Sequence, residues 1–145
     1  MFSQTQEYAL RAVIWLANHA DEGPIGNQRI AEGTSVPASY LSKVLQGLAR
    51  AEILTSRRGV GGGFRLARDA NELTVLEVVN AVEPVQRIHT CPLGLKTHRK
   101  RLCSMHSRLD AAMAMVEEAL ANSTITDLME QPGHPLPLVE TPGHE

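Results

Sequence analysis

The stretch Ile30-Ala-Glu-Gly-Thr-Ser-Val-Pro-Ala-Ser-Tyr-Leu-Ser-Lys-Val-Leu-Gln-Gly-Leu-Ala-Arg50 runs directly into Ala51-Glu-Ile-Leu-Thr-Ser-Arg-Arg-Gly-Val-Gly-Gly-Gly-Phe-Arg-Leu-Ala-Arg68. It reads as a short helix, a turn, a second helix and a glycine-tipped basic hairpin. That order predicts a winged helix-turn-helix, in which one helix is offered to a DNA groove. The second helix is expected from Pro37, which suits a first helical turn, to about Ala51. Leu41, Val44, Leu45 and Leu48 recur at helical spacing and form its buried face. Ser39, Tyr40, Ser42, Lys43 and Gln46 then fall on or near the open side.

The preceding helix is short, about Asn27–Glu32, with Gly33 expected as its left-handed stop. Ile53–Arg57 and Phe64–Ala67 read as two short strands, joined by the loop 58–63. Arg57 and Arg58 stand at that loop for phosphates or a narrow minor groove. Gly59 and Gly61 allow positive φ and close approach to a sugar-phosphate chain. The loop lacks both the Gly-x-Gly-x-x-Gly opening of a dinucleotide fold and a P-loop lysine, so nucleotide chemistry is discounted.

Upstream, Ser3 with Gln6 forms a capping box. Ala9, Leu10, Val13, Ile14 and Ala17 carry a first helix to about His19, and Asp21-Glu22-Gly23-Pro24 ends it. Downstream, Thr74 with Glu77 is a second capping box, opening a helix that Pro84 stops. Residues 85–102 show no clean period. A long helix follows, with Leu102, Met105, Leu109, Ala112, Val116 and Leu120 on one face. That face is too apolar for a lone surface helix and calls for a partner, within the chain or in a second subunit. Thr126–Met129 adds a helical turn. Pro132, Pro135, Pro137 and Pro142 crowd the end, which reads as a disordered tail over 131–145. The expected architecture is mainly α with a small β-hairpin wing. Its parts are a DNA-binding domain (1–84), a sensor loop (85–102), a dimerisation helix (103–130) and the tail.

The 145 residues suffice for one domain with a real core. Aromatics are 3% of the chain, so that core must be aliphatic. The net charge of -2 is uninformative, but its distribution is not. Between Pro37 and Arg68 stand Lys43, Arg50, Arg57, Arg58, Arg65 and Arg68 against Glu52 alone, a basic stripe on an otherwise acidic chain. On an isolated hairpin such arginines would be read as a solvated face; after helix-turn-helix spacing they favour DNA. Two cysteines make no disulfide scaffold. No apolar run approaches the roughly 20 residues of a membrane span, and the first residues lack a signal-peptide pattern. A cytoplasmic protein with reduced thiols is expected. No catalytic constellation stands out, so an enzyme is disfavoured; a winged helix used purely to bind protein is the other competitor.

Ser39-Tyr40-Leu41, the phrase Arg58-Gly-Val-Gly-Gly-Gly-Phe-Arg-Leu-Ala-Arg68, Thr74-Val-Leu-Glu-Val-Val-Asn-Ala-Val-Glu83 and Glu7-Tyr8-Ala9-Leu10-Arg11-Ala12 together resemble the bacterial winged-helix regulators typified by IscR, NsrR and RirA. The resemblance covers about residues 1–130. It implies a homodimer on an imperfect palindrome of double-stranded DNA, joined through the long C-terminal helix. It also implies a 2Fe–2S cluster that senses iron, nitric oxide or redox state. Members with a cluster carry three cysteines just before that helix. Here the segment is His89-Thr-Cys91-Pro-Leu-Gly-Leu-Lys-Thr-His98-Arg-Lys-Arg-Leu-Cys103-Ser-Met-His106, with Thr97 at the middle cysteine's place. The resemblance leaves Cys91 and Cys103 as thiolate ligands, His98 and His106 (more than His89) as imidazole candidates, and Glu7 as an acidic ligand from the other subunit. Histidine ligation of such a centre is known chemistry and raises its potential. Zinc on two thiolates and two imidazoles, a plain thiol switch favoured by Lys96, Arg99, Lys100 and Arg101, and the absence of any sensor remain the alternatives.

Overall fold

The computed structural model describes residues 2–140. Helix α1 spans Gln4–Asn18 and opens with the capping box of Ser3 and Gln6. Ala9, Ala12, Val13 and Ile14 on its inner face are fully buried. Helices α2 (Asn27–Thr34) and α3 (Ala38–Arg50) form the helix-turn-helix. Strands β1 (Leu54–Arg57) and β2 (Gly63–Leu66) pair antiparallel with Leu54 opposite Leu66 and Arg57 opposite Gly63. Ile25 extends this hairpin by a bridge to Phe64, with backbone bonds of 2.9 and 2.8 Å in the two directions. The wing is therefore sewn to the segment that enters α2. A side chain at Gly63 would collide with the Ile25 backbone, and its φ of 147° is one that L-residues rarely adopt.

Gly33 does not terminate α2, as the spacing suggests. The helix runs one residue further, and Ser35 takes the left-handed position with φ 56°. Gly33 serves another purpose: a Cβ there would fall inside the indole of Trp15. The missing side chain lets α2 approach α1 closely. Trp15 is in turn stacked on His19 at 3.9 Å, whose Nδ1 donates to the Trp15 carbonyl at 2.7 Å.

Helix α4 (Val75–Val82) opens with the expected capping box of Thr74 and Glu77. Arg68 donates to Glu77 at 2.8 Å and ties the strand exit to that cap. Helix α5 (Ser104–Ala121) begins two residues after Leu102, with Cys103 as its N-cap. Helix α6 (Ile125–Met129) follows a third capping box, Thr124 with Asp127. Thr74 and Thr124 form an antiparallel bridge, Val75 N–H donates to Ser123 and Ile125 N–H donates to Leu73. Ile125 is fully buried. So α5 leaves the winged helix at one end and returns to it at the other.

One core, built from α1 through α4 and sealed by Ile125, holds the fold together. Apart from Trp15 its buried side chains are aliphatic, as the composition requires. Residues 131–140 contain turns and no helix or strand, yet Leu136 and Val139 pack against this core. The tail expected at 131–145 is thus partly seated through residue 140; 141–145 lie outside the described residues. Among the described residues, no helix is long and apolar enough to cross a membrane.

Candidate nucleic-acid interface and sensor segment

Helix α3 buries Leu41, Val44, Leu45 and Leu48 and turns Ser39, Tyr40, Lys43 and Gln46 outward. Ser42 is half-buried. This division follows from the apolar period. Tyr40 is 52% exposed, an unusual position for a large ring unless something supports it. The support comes from α1: the Tyr8 ring meets Tyr40 edge-on, centroids 6.0 Å apart at 76°.

The wing stands beside this helix. Gly59 and Gly61 have φ of 95° and 75°, and Gly62 N–H closes the turn on Gly59 at 3.0 Å. Val60 at the tip is fully exposed. Arg57, Arg58 and Arg65 are exposed along the hairpin. Among the described residues no carboxylate lies within ion-pair distance of these three or of Lys43. Arg29, Arg68 and Arg11, by contrast, pair with Glu22, Glu77 and Glu7. Open cations thus line the α3 and wing face, which suits a polyanion, and Lys96, Arg99, Lys100, Arg101 and Arg108 form a second unpaired group.

The sensor segment is anchored at both ends. Arg87 grips Asp110 of α5 through Nε at 2.7 Å and a terminal nitrogen at 3.0 Å, and reaches Glu117 at 3.2 Å. Asp110 also accepts the Ile88 N–H at 2.9 Å. The Arg87 guanidinium, then the Ile88 N–H, hold the Asp110 carboxyl well below the usual carboxylate range. Nothing in the periodicity of 85–102 singled out Arg87; a basic residue five places after the end of α4 was the only signal.

Between these anchors the predicted ligands fall into two pairs. Cys91 Sγ lies 3.6 Å from His98 Nδ1, and Cys103 Sγ lies 3.4 Å from His106 Nδ1. Both thiols are free and partly buried. His98 closes a single 3₁₀ turn, Lys96–His98, which folds it back toward Cys91. His106 is one turn into α5 from Cys103. His89 is exposed and joins neither pair. Glu7 is held by Arg11 at 2.9 Å on its own helix. Among the described residues, no three histidine, cysteine or acidic side chains converge as a metal site.

The apolar face of α5 is open. Met105, Leu109 and Met115 are exposed, and only Leu120 of the expected stripe packs on the core. Leu109, Ala112, Met113 and Val116 border a groove of about 570 Å³, closed on the other side by Phe2 and Val85.

A helix-turn-helix with an unpaired basic wing defines a DNA-binding regulator. The chain belongs to the Rrf2 family, described as iron-dependent transcriptional regulators, whose model matches residues 2–131. These are regulators rather than enzymes. The chain is 30% identical over 122 residues to the HTH-type transcriptional regulator IscR of Photobacterium profundum, covering 84% of this chain and 71% of that one. Among solved structures it resembles T. potens IscR, with a TM-score of 0.73 and 25% identity over 90% of this chain and 86% of the other. It shares its fold with CymR, the global cysteine regulator of B. subtilis, at a TM-score of 0.71 and 23% identity, covering 88% and 95%.

Proposed function

We propose that this chain is a homodimeric transcription repressor that acts in the cytoplasm on an imperfect DNA palindrome and takes its signal at the segment 85–106. The single observation that carries the DNA half is the set of exposed cations on α3 and the wing, Lys43, Arg57, Arg58 and Arg65, none of which has a carboxylate within ion-pair distance among the described residues. Ser39, Tyr40, Ser42, Lys43 and Gln46 are assigned to the major groove, which is about 12 Å wide and admits one helix. Arg57, Arg58, Gly59 and Gly61 are assigned to the sugar-phosphate chain. The uncovered face of α5 supports the dimer, because a stripe of that size on one subunit needs cover. Half-sites on a palindrome are about 34 Å apart, so the dimer joint sets whether both recognition helices fit.

For the signal, the IscR relatives support a 2Fe–2S cluster. The donor chemistry of this chain suits one, although the donors stand as two separate pairs within a subunit. Cys91 and Cys103 would hold it with His98 or His106, and Glu7 of the partner subunit would complete the set. Such a group supplies a redox centre whose potential histidine ligation raises. The two thiol–imidazole pairs favour a second reading, a thiol switch at Cys91 and Cys103, both of which are free and partly buried.

The test is anaerobic purification, with a visible spectrum and iron, sulfide and zinc analysis of one sample, followed by titration of duplex DNA at several salt concentrations. Absorbance between roughly 320 and 460 nm with matching iron and sulfide establishes the cluster. A colourless sample with zinc or no metal moves the signal to zinc or to the thiols. Failure to bind any duplex at low salt removes the DNA assignment and leaves a protein-binding winged helix.

A further inference from the structure

Three side chains on one face of α1 lead from an exposed carboxylate to the recognition helix. Glu7 and Arg11, four residues apart, form an ion pair at 2.9 Å. The Arg11 guanidinium lies over the Tyr8 ring, 5.7 Å from its centroid. Tyr8 meets Tyr40 edge-on at 6.0 Å, and Tyr40 sits in the first turn of α3. A cation on a ring face and a ring edge against a second ring are both directional contacts. Each therefore fixes the orientation of the next.

Arg11 is held on one side only. Its Nε is buried and, among the described residues, has no hydrogen-bond partner. The Glu7 carboxylate, meanwhile, is 42% exposed. A guanidinium with a single ion-pair anchor keeps its place over Tyr8 only while that anchor holds. More than half of the Tyr40 surface is open, and its aromatic contact is with Tyr8 of α1.

We infer that Tyr8 and Arg11 are positioning residues for the DNA-reading helix, setting the Tyr40 ring according to whether Glu7 holds Arg11. This rests on the assignment of α3 to the major groove and adds to it a path by which a change at the Glu7 carboxylate alters operator affinity. The path runs within one subunit and contains no DNA contact before Tyr40.

The chain has two tyrosines, which makes the path visible. Full-length Tyr8→Phe protein grown with 3-fluorotyrosine carries one fluorine signal, from Tyr40. Adding Glu7→Gln or Arg11→Met in that background is expected to move the Tyr40 signal, and Arg11→Lys to restore it in part. An unmoved signal overturns the inference, and this arm needs no DNA. In the second arm, Tyr8→Phe keeps the wild-type affinity for duplex operator, while Tyr8→Leu and Arg11→Met lower it by about tenfold, a typical coupling factor. The salt slope stays unchanged, and the double variant is no weaker than either single one. A slope reduced by about one would put Arg11 on a phosphate and overturn the positioning role; so would additive losses, or a moved Tyr40 signal with unchanged affinity. Loss of DNA binding by the wild type would instead count against the groove assignment, with the fluorine arm still deciding the contact.

Discussion

Arg87 and Asp110 face each other in a two-pronged ion pair, 2.7 and 3.0 Å, across the junction between the sensor segment and α5. Asp110 also accepts the Ile88 N–H at 2.9 Å. A segment whose one helical turn is Lys96–His98 is thereby fixed at its start to the helix that Cys103 caps at the other end. The Cys91–His98 pair lies between these two points, and the Cys103–His106 pair sits at the second, on the first turn of α5.

The pair has a pH signature. Arg87 pulls the Asp110 carboxyl below its ordinary value of 3.8, with the Ile88 N–H adding to the effect. Arg68, then Thr74, lowers Glu77 in the same way, and Thr124 lowers Asp127. A carboxyl whose folded value is depressed adds stability that is present above its unfolded value and lost as pH falls through the folded one. Acidification below roughly pH 4 is therefore expected to destabilise the protein. Asp110→Asn should be less stable than wild type at pH 7 and should lose less on going to pH 3, by urea unfolding in low salt. The effect is small and screened by salt because both groups are near the surface. Parallel pH profiles for the two proteins would show that the pair contributes nothing.

Gly33→Ala tests the α1–α2 approach. The added methyl has no room beside the Trp15 indole, so a helix must shift. Overpacking of this kind costs about 1–3 kcal/mol, and thermal unfolding should fall by several degrees. At an ordinary exposed helix site the same change would stabilise, by roughly 0.5–1 kcal/mol. A raised melting temperature would mean that the two helices do not pack this closely.

Ile125→Ala probes the return of the chain to its core. Ile125 is fully buried although it follows α5. Truncating a buried isoleucine costs about 2–5 kcal/mol. The expected result is a single cooperative transition at lower temperature. A separate early transition, with the winged helix unaffected, would show that α6 docks only loosely.

For DNA, Arg58→Ala should weaken binding to every duplex alike and reduce the salt slope by about one. Lys43→Ala or Ser39→Ala should instead change the ranking of sites, by about 1–3 kcal/mol at the affected base pair. Titrations of two unrelated duplexes across a salt series separate the cases. An unchanged slope for Arg58→Ala would take the wing off the phosphates.

Cys91→Ala and Cys103→Ala should abolish any dependence of operator affinity on redox state while leaving the salt slope intact. Unchanged affinity of wild type and both variants under oxidising, reducing and nitric-oxide-treated conditions would end the sensor assignment.

The sequence by itself determined the local structure. Ser3 with Gln6 and Thr74 with Glu77 each hydrogen-bond within four residues, so the start of α1 and α4 could be read from spacing alone. The buried face of α3 follows from a 3.6-residue period, and the wing turn from glycines that tolerate positive φ. What only the tertiary structure decided are the contacts between residues far apart in the chain. Gly33 looked like a helix stop because glycine serves that purpose locally; its partner Trp15 is on another helix. His98 and His106 were expected ahead of His89 but could not be matched to a particular thiol, and the turn at Lys96–His98 brought His98 to Cys91. Arg87 with Asp110, Thr74 with Thr124, and Leu136 and Val139 on the core have no local signature. Caps and periods are fixed by neighbours a turn away, whereas these pairs form only once the chain has folded back on itself and brought distant side chains within reach.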